Sequence, residues 1–113
     1  MDSESRNLVL LLLLFPCVPL AAQETGKSAA GASIFKSKCV LCHAADGSGN
    51  TPLGKQLQAA DLRSKDVQKL SDAEMRKIVH DGQANMPPFA DQISNEEIAG
   101  VVKYIRALVK SKK

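Results

Sequence analysis

Three residues in the first half of the chain have side chains that form covalent bonds or bind metals, and they stand close together. Cys39 and Cys42 are three positions apart, and His43 follows the second cysteine directly. Residues three apart on a helix lie on the same face. A helical segment would therefore project both sulfurs to one side and present the imidazole beside them.

The pattern C-x-x-C-H is the attachment signature of c-type haem, in which the two sulfurs bond to the haem and the histidine presents its ring to the iron. Three other sites use similar residues. A thioredoxin-like redox pair needs a βαβ context, and zinc needs about four ligands. A disulfide between Cys39 and Cys42 would close a short loop and add little stability. The pattern favours one haem c, covalently attached through Cys39 and Cys42.

A haem iron held by His43 has a second axial position, and three downstream side chains could fill it. Met75 lies in an amphipathic segment, where a methionine is usually part of the core, and His80 lies in the last turn of the same segment, as an exposed histidine would. Met86 precedes Pro87 and Pro88, which stiffen an extended segment. A thioether held by a rigid loop is suited to ligate iron, and Met/His ligation raises the reduction potential.

Apolar residues at helical spacing predict three main helices and no strands. The first extends from about residue 30 through the cysteines. The second begins with a capping box formed by Ser71 and Glu74 and ends before Gly82, and the third begins with Ser94 and Glu97. We therefore predict an all-α fold. The third helix has an apolar side made of Ile98, Val101, Val102, Ile105, Leu108 and Val109.

The first 22 residues have the composition of an export signal, because a leucine-rich block ends in small residues. We predict a signal peptide at 1–22, a flexible lead-in at 23–29 and one domain at 30–113. Lipidation at Cys17 or an uncleaved signal are less favoured alternatives. The formal net charge is only +3, and no basic run is interleaved with aromatic residues, which argues against nucleic-acid binding.

Residues 30–110 resemble the class I monohaem cytochromes c. Besides the C-x-x-C-H motif, the resemblance rests on Gly31 and Phe35 before the motif, on the run "MPPF" and on Tyr104. It implies the cytochrome c fold, with three main helices and short turns wrapped around one covalent haem. In that family the first and last helices cross closely at glycine while two aromatic rings stack, and Gly100 could ease the same crossing.

The resemblance also implies roles at the site. Met86 would be the sixth iron ligand opposite His43, and the carbonyl of Pro52 would accept a hydrogen bond from the histidine ring. With so few aromatic residues in the chain, the haem itself would complete the core. The residues expected to wall it are Leu53, Leu57, Leu62, Ile78, Val79, Phe89 and Ile93.

With both axial positions filled by the protein, the iron can exchange an electron but has no place for a substrate. We predict a periplasmic, monomeric one-electron carrier and not an enzyme. Its expected partners are redox proteins: a donor dehydrogenase or quinol-linked complex and an acceptor oxidase or reductase. Two alternatives remain, a haem subunit tied to one dehydrogenase or oxidase, and a haem sensor or peroxidase in which the methionine ligand dissociates.

Overall fold

The structure, a computed structural model, describes Leu14, Pro16 and residues 21–110, without the side chains of 21–25, 27 and 28. Residues 21–110 form helices and no strand, with one isolated bridge between Gln83 and Met86. The predicted all-α fold is therefore confirmed. The helices are α1 (Ala21–Lys38), α2 (Val40–His43), α3 (Pro52–Leu57), α4 (Lys65–Gln68), α5 (Asp72–Asp81) and α6 (Asn95–Lys110).

Helices α1 and α6 cross at two glycines. A β-carbon on Gly31 would lie 2.2 Å from the carbonyl oxygen of Gly100. A side chain at position 31 would therefore force the two helices apart. Next to the crossing, the rings of Phe35 and Tyr104 pack with centroids 5.0 Å apart, tilted by 50°. Phe35 is completely buried. The predicted helix crossing is confirmed, and Gly100 takes part in it.

Both predicted capping boxes are present. The Ser71 hydroxyl accepts from the Glu74 N–H, and the Glu74 carboxylate accepts from the Ser71 N–H at 2.7 Å. Ser94 and Glu97 make the same reciprocal pair before α6. Each box satisfies backbone donors that a helix start leaves free. The starts of α5 and α6 are therefore fixed by local sequence.

The structure places both ends of the first helix differently from the sequence prediction. Residues 23–29, predicted as a flexible lead-in, lie within α1, which begins at Ala21. This helix then ends at Lys38, and the cysteine motif forms a separate turn, α2, after Cys39. The predicted signal peptide and Cys17 fall almost wholly outside the described residues.

Arg106 ties α6 to the segment between α4 and α5. Its guanidinium donates to the carbonyl oxygens of Gln68, at 2.8 Å, and Leu70, and to the Asp72 carboxylate at 3.0 Å. These carbonyls lie at the end of a helix of only four residues, which has few intrahelical bonds of its own.

Among residues 21–110, no helix is both long and apolar enough to cross a membrane.

Candidate functional site

An apolar cavity of about 340 Å³ opens between α2, α3 and the segment that follows α5. It is bordered by two buried clusters, one containing Leu62 and Met75 and the other containing Val79 and Phe89. Cys39, Cys42, His43 and Met86 all line this cavity. Residues that the sequence pattern marked for chemistry therefore line one apolar cavity.

The cysteine motif is held as a tight turn. The N–H of His43 donates to the Cys39 carbonyl at 2.9 Å, and the N–H of Cys42 donates to the same carbonyl at 3.3 Å. Both cysteines are free thiols and partly buried. Burial raises the pKa of Cys39 to about 11, with a further contribution from Cys42 and an opposing one from Lys38. Cys39 is thus a neutral thiol at neutral pH, unlike the thiolates of redox and metal sites.

The imidazole of His43 is oriented by a backbone carbonyl. Its Nδ1 lies 3.0 Å from the carbonyl oxygen of Ala60. Because a carbonyl oxygen only accepts, Nδ1 carries the hydrogen, and Nε2 keeps a free lone pair for a metal. The prediction that Pro52 supplies this carbonyl is wrong. Pro52 instead begins α3, where its missing N–H costs nothing.

Helix α3 fixes the cysteine motif from the other side. The Thr51 hydroxyl donates to the Leu41 carbonyl at 2.7 Å and accepts from the Gly54 N–H at 2.8 Å. A β-carbon on Gly54 would lie 2.1 Å from the Cys42 carbonyl oxygen, so the two backbones touch. The backbone that carries the two cysteines and the histidine is therefore held in place by its contacts with α3.

Met86 stands on a tight turn after α5. Gln83 and Met86 exchange two backbone hydrogen bonds, of 3.1 and 2.9 Å. The turn begins at Gly82, whose φ is +76°, and a β-carbon there would lie 2.7 Å from the Met86 carbonyl oxygen. After the prolines, the Phe89 N–H donates to the Val79 carbonyl at 3.0 Å. The segment that carries Met86 is thus bonded back onto the end of α5.

The two other candidate ligands occupy different places. Met75 is buried, with 4% of its surface exposed, and lines the same cavity as Met86. His80 does not line it; its Nδ1 lies 2.6 Å from the Asp81 carboxylate on the surface. Hydrogen bonds, first from Lys77 and then from His80, hold the pKa of the Asp81 carboxyl below its usual range. The structure brings two thioethers, and one histidine, to the cavity.

The predicted apolar wall is largely present. Leu57, Leu62, Ile78, Val79 and Phe89 line the cavity, whereas Leu53 and Ile93 do not. Sequence reasoning missed Val101 and Ile105, which α6 contributes, although the apolar periodicity of that helix had placed both residues on its inner face. It also missed Val67 and Leu70. Val67 lies in α4 and Leu70 follows it, and a helix of four residues is too short to show a period.

The donor set fits a covalently attached haem. Two free thiols, an imidazole with its Nδ1 already engaged, and a thioether surround an apolar space, as a haem c requires. It does not fit zinc. In the part of the chain that the structure describes, no three His, Cys, Asp or Glu side chains come together to hold a metal ion.

Comparison with known proteins agrees with this interpretation. Residues 26–105 match the family described as "Cytochrome C oxidase, cbb3-type, subunit III". The chain is 32% identical over 102 residues to cytochrome c6 of Rippkaea orientalis, which covers 89% of each protein. It is 35% identical over 75 residues to cytochrome c6 of Bryopsis maxima, covering 66% of this chain and 84% of that one.

A solved structure shares the fold. The c-type cytochrome KustC0563 superposes with a TM-score of 0.64 and 29% sequence identity, covering 69% of this chain and 95% of that one.

Proposed function

Because the chain belongs to the c-type cytochromes, within the family described as cytochrome c oxidase, cbb3-type, subunit III, we propose that it carries single electrons on an iron held between His43 and Met86. The family establishes a haem c electron-transfer protein with redox-protein partners. The observation that supports the ligand pair is the cavity itself, since both side chains line it together with Cys39 and Cys42.

Each residue then has a separate task. Cys39 and Cys42 hold the haem through thioether bonds, and the haem supplies the one-electron chemistry. The Ala60 carbonyl fixes the ring of His43 in the tautomer that leaves Nε2 free. Met86 supplies a thioether, which favours the reduced state of iron. The leucine, valine and phenylalanine wall excludes water and stabilises the less charged, reduced centre.

The compartment is also part of the proposal. The leucine-rich N-terminal block supports export and removal of residues 1–22, which would deliver a periplasmic carrier. Its donor would be a dehydrogenase or quinol-linked complex, and its acceptor an oxidase or reductase. Fractionation of cells that express the tagged chain tests this, because a cytoplasmic or membrane-bound haem protein would contradict it.

A second function is favoured by one observation, the family description itself, which names an oxidase subunit. The chain could serve one oxidase as a bound haem subunit instead of diffusing between partners. Gentle solubilisation and gel filtration distinguish the two functions. A free carrier elutes at its own mass, whereas a subunit elutes with the rest of its complex.

The ligand assignment is tested by comparing two methionines that line the same cavity. Met86→Ala should abolish the charge-transfer band at the red end of the ferric spectrum and lower the reduction potential. Met75→Ala is the matched control, and it should keep the band while reducing stability, since it deletes a buried side chain. The reverse pattern would assign the ligand to Met75.

A further inference from the structure

A side-chain hydrogen bond joins the segment that carries Met86 to α3, on the other side of the cavity. The side-chain amide of Asn85, next to Met86, donates to the carbonyl oxygen of Leu57 at 3.0 Å. These residues are 28 positions apart, and both line the cavity. The hydrogen bond therefore spans from the methionine turn to α3.

The acceptor suits this role. Leu57 is the last residue of α3, and the final carbonyls of a helix lack intrahelical partners. The next residue, Gln58, adopts a left-handed conformation with φ of 57° and turns the chain away from the helix. The amide of Asn85 thus supplies a partner to a carbonyl that the helix itself leaves free.

The other end of this connection reaches His43. Helix α3 contacts the cysteine motif directly, through Thr51 on the Leu41 carbonyl and Gly54 against the Cys42 carbonyl. A continuous path of backbone contacts and hydrogen bonds runs from Met86 through Asn85 and α3 to the residue before His43. The spacing between the two proposed ligands, His43 and Met86, is therefore constrained by contacts within the protein.

The turn itself needs such support. Ala84, within the Gln83–Met86 turn, has a φ of +52°, a conformation that residues with a β-carbon adopt at an energetic cost. Strained residues persist where neighbouring contacts hold them in place. The hydrogen bond of Asn85 is one such contact, and it is on the exposed side of the turn, where no core packing could replace it.

We propose that Asn85 is a positioning residue that keeps the Met86 turn closed over the cavity, so that it sets how readily the thioether leaves the iron. The inference rests on the proposed ligation by Met86. It implies that the iron becomes accessible to small external ligands through opening of residues 82–86, and that the Asn85–Leu57 hydrogen bond opposes this opening.

The test uses the complete ferric protein, with imidazole as the probe. Imidazole binds once the methionine has left, so loss of the red-end band in a stopped-flow experiment reports the opening of the turn. Asn85→Ala and Asn85→Asp both remove the donor to Leu57. We expect each to bind imidazole about two- to tenfold faster, the range that corresponds to one lost hydrogen bond.

Gln92→Ala is the matched control. Gln92 is also an exposed amide, and it accepts a hydrogen bond from Lys38 at 3.3 Å across a separation of 54 residues, but it lies beyond the turn and does not line the cavity. This variant should bind imidazole at the rate of the unaltered protein. Thermal unfolding of all three variants should change little, which distinguishes local opening from general destabilisation.

Two results would overturn the inference, and they are distinguishable. If Met86→Ala loses the band but the Asn85 variants bind imidazole at the original rate, Met86 is the ligand and Asn85 does not control it. If Met86→Ala keeps the band, the proposed ligation fails and the inference fails with it.

Discussion

Replacing Gly82 by alanine should disrupt the proposed ligation of the iron by Met86 without unfolding the protein. Gly82 has φ of 76° and ψ of 167°, a region that is almost exclusive to glycine. A β-carbon there would meet three backbone atoms of the methionine turn, at 2.7 Å from the Met86 oxygen, 2.8 Å from the Pro88 nitrogen and 3.0 Å from the Pro87 carbonyl carbon.

The expected magnitude follows from these contacts. Holding alanine in this backbone conformation costs about 1–3 kcal/mol. Ordinary contact begins at 3.4 Å, so the Met86 carbonyl, now at 2.7 Å, would have to move by about 0.7 Å, the difference between the two distances. Metal–ligand bonds tolerate displacements of only a few tenths of an ångström. Relief of the strain is therefore expected to weaken the proposed bond between Met86 and the iron.

The assay combines the ferric absorption spectrum with denaturant unfolding. Gly82→Ala should weaken or abolish the red-end band and lower the free energy of unfolding by about 1–3 kcal/mol. Gly26→Ala is the control, because Gly26 lies in α1 with nothing within 4 Å of its added β-carbon. It should leave the band intact. A Gly82→Ala protein with an unchanged band and unchanged unfolding would refute the reasoning.

Three further predictions concern other parts of the fold. A Cys39→Ala, Cys42→Ala double variant should lack covalent haem by mass spectrometry and lose cooperative unfolding, because the cavity wall would have nothing to pack against; a folded variant would contradict this. Arg106→Lys should lower the free energy of unfolding by about 2 kcal/mol, since lysine lacks the planar fork that serves two carbonyls and Asp72; urea unfolding measures this, and an unchanged midpoint would exclude the role. The rate of electron transfer to an acidic partner should fall as the salt concentration rises from about 0.01 to 0.15 M, because the Debye length falls from roughly 30 to 8 Å. Charge reversal at Lys38, which borders the cavity, should reduce the salt dependence of this rate more than charge reversal at Lys112, and equal effects would argue against steering near the haem.

The features predicted correctly from the sequence are those that depend on residues near each other in the chain. The capping boxes of α5 and α6 need only a serine and a glutamate three positions later. The apolar side of α6 follows from its period, and only Val109 of the predicted set is markedly exposed. The crossing of α1 and α6 was implied by a family resemblance, and the close contact of Gly31 with Gly100 gives it a physical basis.

The hydrogen-bond acceptor of His43 could not be predicted from residues near it in the chain. Pro52 was the more conspicuous residue, but the acceptor depends on how residues 44–60 fold back. The Gly49 N–H donates to the His43 carbonyl at 2.8 Å, and the Leu62 N–H donates to the Gly47 carbonyl at 2.7 Å, which brings Ala60 alongside the ring. An alanine carbonyl has no signature in the sequence. The same holds for Asn85, whose partner is 28 residues away.

The glycine crossing has a consequence for how the chain acquires its haem. Gly31 and Gly100 close a loop of about 70 residues, which costs roughly 4 kcal/mol of chain entropy. Every residue of the cavity wall except Val101 and Ile105 lies inside that loop. Neither glycine lines the cavity. The contact between the two glycines is therefore made by protein atoms alone, and it shortens the search by which the intervening turns assemble around the cofactor. In folding terms, the crossing of α1 and α6 brings the two ends of the domain together, and α3 and the methionine turn complete the cavity between them.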